Sequence, residues 1–284
     1  PPARRMASTT CSPKAVLTVR ESFAHSSNVA MGKLAYKAFA QQPDKFKSYL
    51  QKFHLEKKTG FGLVGEEPAV LPRLKRNREG LHAMITASFG YAIEVSPLHT
   101  AMLYNAVAND GKLMKPYLVN SIQNNGVTVK EFEPTVLEEQ IAKPSTIKAA
   151  RAAMEAVITE GTAKSVFADC PFPVAGKTGT AHVAAGDIKY HHGVYQASFA
   201  GYFPADKPEY TVVVLIRTRP HAAMHYGGQL AAPVFKEVAT KLFAMYVKQK
   251  RTTGAHLMID SADHTYAGYK KDVQQVLQTV GVKH

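Results

Sequence analysis

Two short polar clusters in the chain hold side chains suited to acyl transfer. Ser26-Ser27-Asn28 offers a hydroxyl that can relay a proton and an amide that can orient a substrate backbone. Lys177-Thr178-Gly179 offers a cation to bias the field at a nucleophile, a hydroxyl to grip a carboxylate, and a glycine beside which a peptide can lie as an added strand. Neither cluster is specific alone. Lys-Thr-Gly occurs a second time at Lys58-Thr59-Gly60, and context separates the copies. The first follows a helical run and its glycine reads as the helix stop, whereas the second is embedded in a strand pattern, Val174 to Ala181, ahead of two more strands.

Covalent catalysis also needs a nucleophile beside a base, and two short stretches pair such a residue with a lysine. Ser145-Thr146-Ile147-Lys148 fits S-x-x-K, but Ser145 follows Pro144 at the start of an amphipathic helix and reads as its N-cap. Cys11-Ser12-Pro13-Lys14 is a cysteine variant in which Pro13 breaks the helical turn that would bring the lysine under the nucleophile. Both are set aside. Gly60-Phe61-Gly62-Leu63-Val64-Gly65 fits a dinucleotide pattern, yet it follows a helix instead of opening one and reads as a structural turn. His191, His192, His221 and His225 lack a carboxylate at ligand spacing, so no metal is expected, and Cys11 and Cys170 allow at most one disulfide.

The elements that must position these residues change character along the chain. Val19, Phe23, Ala30, Leu34 and Ala38 fall at helical spacing interrupted by His25 to Asn28, which predicts two helices joined at the serine cluster. A helix is expected from Pro43 to Leu55, stopping at Gly60, then a basic loop from Pro68 to Gly80. Ser96-Pro97 opens a helix ending at Asn109-Asp110-Gly111. Tyr117 to Ile122 and Val127 to Phe132 flank Asn125-Gly126 as a hairpin. After the helix that starts near Ser145, strands are expected at Val174 to Val183, Gln196 to Phe203 and Tyr210 to Thr218, antiparallel because their connections are short. A closing helix from Pro233 and a detached one from Val273 to Val280 complete an α+β arrangement.

The chain has 284 residues with 45% apolar and 20% charged composition, which predicts a packed fold, and no run of about 18 apolar residues that could span a membrane. Thirty-five Lys and Arg against 22 Asp and Glu give a net charge of +13. The basic residues are scattered apart from Arg73, Lys75, Arg76 and Arg78, and no helix-turn-helix or stacking-aromatic motif accompanies them, so nucleic acid is not an expected partner.

Ser26 to Val29, Thr59 to Gly62, Ser88-Phe89-Gly90-Tyr91, Ala106 to Gly111, Gly161-Thr162-Ala163, Gly176 to Ala181 and Tyr226-Gly227-Gly228 occur in the order found in class B penicillin-binding proteins. From about Leu17 to Tyr246 the chain resembles their transpeptidase domain, and division-specific members in particular. The resemblance implies an α+β penicillin-binding and serine β-lactamase-like fold, a helical subdomain with an antiparallel sheet covered by helices. Residues 1–16 are expected to be an unmatched leader, 17–249 a transpeptidase domain incomplete at its N-terminus, and 250–284 a linker or tail.

The implied activity is a serine-type D,D-transpeptidase that crosslinks peptidoglycan stem peptides without a cofactor. Ser26 would relay protons, Asn28 would hold substrate and orient catalytic lysines, and Lys177 would polarise the site. Thr178, Gly179 and Thr180 would bind the terminal carboxylate of a D-Ala-D-Ala peptide or a β-lactam, with the Thr180 N–H in the oxyanion hole. The family's S-x-x-K box belongs several dozen residues before Ser26, where only Pro1 to His25 stand, so this chain alone is expected to form no acyl-enzyme. The implied setting is the extracytoplasmic face of the inner membrane, through an upstream anchor, with glycosyltransferase, divisome or elongasome partners. The alternatives are a non-catalytic peptide-binding module, or a β-lactamase or β-lactam sensor; the Ser88 to Tyr91 and Ala106 to Gly111 matches belong to the synthetic enzymes.

Overall fold

The computed structural model describes residues 16–62, 64–184 and 186–247. The chain divides into two compact units, residues 1–241 and 242–284. Cys11 and the helix expected at Val273 to Val280 lie outside the described residues.

Helix α1 (Val19–Ala24) starts in a capping box. The Thr18 hydroxyl accepts from Glu21 N at 3.2 Å, and the Glu21 carboxylate accepts from Thr18 N at 2.9 Å. It stops at His25, and Ser26 takes a left-handed φ of +56°. That conformation costs a non-glycine residue about 1–2 kcal/mol and must be held by its surroundings. The turn lets Ser27 cap α2 (Asn28–Phe39) by accepting from Ala30 N at 3.4 Å, so the expected interruption between two helices is present.

Helix α3 (Pro43–Lys52) ends earlier than expected, because His54 takes the left-handed position (φ +58°) foreseen for Gly60 and is tied by its Nε2 to the Glu138 carboxylate at 2.8 Å. Helix α4 (Arg78–Ala87) begins within the stretch expected to be a loop, since the Asn77 side chain accepts from Gly80 N and starts a helix there. Helix α5 (Pro97–Ala108) opens at Ser96, as the Ser-Pro pair requires. Strands β1 (Leu113–Met114), β2 (Ser121–Asn124), β3 (Val127–Glu131) and β4 (Val136–Glu138) follow. The β2–β3 hairpin turns at Asn125 and Gly126, both at positive φ, and β1 pairs with β4.

Helix α6 (Pro144–Thr159) has Lys143 at its N-cap, with no side-chain cap bond. Ser145 is therefore not the cap: proline fits the first helical position, which moves the cap upstream and leaves Ser145 exposed in the first turn. A short α7 (Lys164–Phe167) leads to the sheet of β5 (Ala175–His182), β6 (Tyr195–Phe203) and β7 (Tyr210–Arg217), antiparallel in the order β5-β6-β7. Helix α8 (Gly227–Leu242) starts before Pro233, which lies inside it. Tyr226 O accepts from Gln229 N and Leu230 N, setting the first turn ahead of the proline.

The sheet is packed on both faces. Phe199 and Phe203 meet Phe235 of α8 at centroid distances of 4.7 and 5.8 Å. Tyr202 and Ala175, which point the other way, join Met102 and Ala106 of α5 and Ile147 and Met154 of α6 in the main core. Strand β5, which carries the second Lys-Thr-Gly, is an edge strand among the described residues.

Candidate active site

Alternation along β5 sorts its side chains. Lys177 and Gly179 share the face of Ala175, toward α6 and α1, while Thr178 and Thr180 lie on the α8 face. Backbone direction alternates too. His182 N donates away from β6 to the Tyr91 hydroxyl at 3.4 Å, so in an antiparallel ladder the N–H and C=O groups of Thr178 and Thr180 also point to the open edge. The Lys177 ammonium donates to Thr178 O at 2.9 Å on that same edge and lies 5.7 Å from the centre of the Phe23 ring. Burial pushes its pKa down to about 8. The cost of holding a desolvated ammonium falls as an anion approaches, which suits this edge to a negatively charged or oxyanionic partner.

Each threonine hydroxyl is already an acceptor or a shared partner on its inner side. Thr180 Oγ1 accepts from Gly227 N, the first residue of α8, at 3.0 Å. Its own O–H therefore remains available to donate outward. Thr178 Oγ1 lies 2.6 Å from Thr162 Oγ1. Glycines make the close approach possible: a Cβ on Gly227 would collide with Ser198 O and Gly179 O, and one on Gly228 would fall 2.9 Å from Thr162 O. The helix N-terminus thus reaches the strand only because it carries no side chain there.

Ser26 and Asn28 flank the turn between α1 and α2, half-buried and exposed respectively. Their side chains make no hydrogen bond among the described residues. The fold brings their loop to β5 through intermediaries: Phe23 reaches Lys177, and Ala24 O accepts from Thr162 N at 3.2 Å. A second wall stands where the end of β5 meets the start of β6, and there His182, Tyr195 and His225 stack at centroid distances of 4.6 and 4.3 Å. A cleft of 580 Å³ runs between the Phe89 to Val95 segment and the sheet, with Gly179 and Thr180 on its lining.

The decoys separate from this cluster. Lys58-Thr59-Gly60 lies in a loop where Gly60 and Gly62 take positive φ, and Ser145 and Lys148 are exposed on α6. Phe23, Thr162 and Gly227 are parts of the site that side-chain chemistry alone did not single out. The glycines beside Thr162 and within Tyr226-Gly227-Gly228 were the signal for close backbone approach.

Residues 4–240 match the family described as the penicillin binding protein transpeptidase domain. Among curated relatives, the chain is 33% identical over 193 residues to stage V sporulation protein D of Bacillus subtilis, covering 67% of this chain and 29% of that protein. It is 32% identical over 219 residues to the peptidoglycan D,D-transpeptidase FtsI of Escherichia coli K12, covering 77% and 34%. The apo transpeptidase domain of Burkholderia pseudomallei penicillin-binding protein 3 superposes with a TM-score of 0.65 at 29% identity, covering 81% of this chain and 65% of that one. PBPA of Mycobacterium tuberculosis, at 22% identity and a TM-score of 0.69, is similar in fold, with 84% and 55% covered. The chain belongs to the penicillin-binding protein transpeptidase family, within the class B members, and spans about a third of the length of these two curated relatives.

Proposed function

We propose that these residues form the carboxylate-binding and proton-relay side of a serine D,D-transpeptidase site that crosslinks peptidoglycan stem peptides ending in D-Ala-D-Ala, and that β-lactams occupy the same place. The observation that carries this is the open edge of β5, which the Lys177 ammonium reaches from one face of the sheet and the Thr180 hydroxyl borders on the other, with the Thr180 N–H aimed outward between them.

In this reading the substrate carboxylate sits between the hydroxyls of Thr178 and Thr180, near the N-terminus of α8, whose dipole favours an anion there. The peptide backbone runs alongside Gly179 as an added strand. The Thr180 N–H donates to the oxyanion, and loss of such a donor elsewhere costs about 2.7–4 kcal/mol of transition-state stabilisation. Lys177 holds developing negative charge, Ser26 relays the proton and Asn28 orients the substrate amide. Ser145 and Lys148, the S-x-x-K match within the 284 residues, are exposed on α6 and take no part in this site. By itself the 284-residue chain forms no acyl-enzyme. Residues 17–249 serve as the transpeptidase portion and 250–284 as a linker, in a protein that works on the extracytoplasmic side of the membrane with glycosyltransferase and division or elongation partners.

The test is acylation by a fluorescent penicillin in the product of the complete gene. Lys177→Ala should slow labelling by at least about 100-fold, while Lys58→Ala should label at the wild-type rate. Wild-type labelling of Lys177→Ala would sink the assignment.

A further inference from the structure

The turn at Gly161-Thr162, between α6 and α7, has no part in the chemistry above, yet it touches both halves of the site. A Cβ on Gly161 would collide with Ala24 O, two residues before Ser26, and Thr162 N donates to that same carbonyl at 3.2 Å. On its other side the Thr162 hydroxyl meets the Thr178 hydroxyl at 2.6 Å. A Cβ on Gly228 would lie 2.9 Å from Thr162 O and 3.8 Å from Thr178 Cγ2, so α8 closes over the pair. Thr162 is half-buried, and its hydroxyl has no other hydrogen bond among the described residues.

Two facing hydroxyls share one hydrogen bond, and which of them donates decides what the other can do. If Thr178 donated inward, its remaining lone pairs would face the substrate carboxylate and repel it. If Thr162 donates, Thr178 accepts inward and its own O–H is free to donate outward. Thr180 is already fixed in that second sense, because its inner partner is a backbone N–H that can only donate. A carboxylate bound to both threonines selects the matching polarity at Thr178, and the resulting chain of hydrogen bonds is cooperative.

We propose that Thr162 is a positioning residue: its hydroxyl donates to Thr178 Oγ1, holds the Thr178 side chain in one rotamer and makes it a donor to the substrate carboxylate. The role presupposes that Thr178 and Thr180 bind that carboxylate, as set out under the proposed function. Serine can take over the task, whereas valine, of the same shape, can neither donate nor accept.

The experiment uses the 284-residue chain with ¹³C-methyl threonines, as wild type, Thr162→Ser and Thr162→Val. Three-bond couplings give the χ1 order of Thr178 without ligand, and titration with diacetyl-L-Lys-D-Ala-D-Ala follows the Thr178 and Thr180 methyls. Thr178 should be fixed in wild type and Thr162→Ser but rotamer-averaged in Thr162→Val. Probe affinity should fall about tenfold in Thr162→Val and stay within about threefold in Thr162→Ser. Threonine methyls remote from the site, such as Thr211 on β7, report that each variant is folded, and Thr162→Ala replaces Thr162→Val if the latter is not. Unchanged Thr178 order and affinity in Thr162→Val would overturn the role of Thr162 and leave the carboxylate reading standing. No probe shift at Thr178 or Thr180 in wild type would overturn both.

Discussion

Lys58-Thr59-Gly60 and Lys177-Thr178-Gly179 carry the same three side chains on two different backbones. In the first copy Lys58 is exposed and pairs loosely with exposed Glu67, 3.8 Å apart at side-chain exposures of 59% and 78%. Thr59 is turned inward, 5% exposed, with its hydroxyl accepting from Phe61 N and its N–H bound by the Glu66 carboxylate at 2.6 Å. Gly60 turns the chain at φ +74°. In the second copy the backbone is extended, the lysine is desolvated, and the nearby Thr180 hydroxyl accepts from Gly227 N on the other face of the strand. The first copy lies in a turning loop; the second lies along an extended strand. Strand context and the glycine-lined approach of α8 and of the Thr162 turn produce that difference, not the triplet.

The contrast can be broken first through packing. Gly227→Ala pushes a methyl into Ser198 O and Gly179 O, both backbone atoms that cannot step aside, and should cost about 2–3 kcal/mol. Gly60→Ala meets only the Lys115 side chain and pays mainly for its left-handed φ, about 1 kcal/mol. Thermal unfolding should therefore show a Tm drop for Gly227→Ala at least twice that for Gly60→Ala; equal drops would mean that α8 does not brace the second copy.

A smaller effect separates the two lysines by pH. Lys177 has a folded pKa near 8 against an ordinary 10.5, so the unfolded chain binds the proton more tightly. Between those values the unfolded state carries more protons, and stability from this group rises as pH rises through the window. In urea titrations between pH 7.5 and 10, Lys177→Met should lose that rise and Lys58→Met should keep it. A Lys177→Met profile parallel to wild type would contradict the burial.

The smallest effect belongs to the loop that holds the first copy. Hydrogen bonds from Thr59 hold the Glu66 carboxyl below its usual range. A depressed carboxylate adds stability above its unfolded pKa and loses it as pH falls through the folded one. Glu66→Gln should thus lower Tm slightly at pH 7, and the gap should close in acid; a gap constant down to pH 3 would assign it to packing instead.

Much of this contrast was legible in the sequence because it rests on local pattern. Alternation and flanking strands put Lys177 to Thr180 on a sheet, and the polar break at His25 to Asn28 put Ser26 between two helices. The hairpin at Asn125-Gly126 and the Ser96-Pro97 start follow from turn and cap chemistry of the same short range. What was not legible depends on partners far along the chain. Helix α3 ends at Lys52 because His54, held by Glu138, turns the chain just beyond it, and α8 begins before Pro233 because Gly227 and Gly228 fit against β5 and Thr162. Thr162 itself gives no periodic signal; only its placement against Ala24 and Thr178 gives it a role.

The most direct measurement follows backbone amides of the ¹⁵N-labelled 284-residue chain while diacetyl-L-Lys-D-Ala-D-Ala is added at millimolar concentration. Saturable shifts are expected at Thr178, Gly179 and Thr180, largest at the outward Thr180 N–H, and none at Lys58, Thr59 or Gly60. Shifts confined to the first copy, or none at Thr178 to Thr180, would contradict the proposed function.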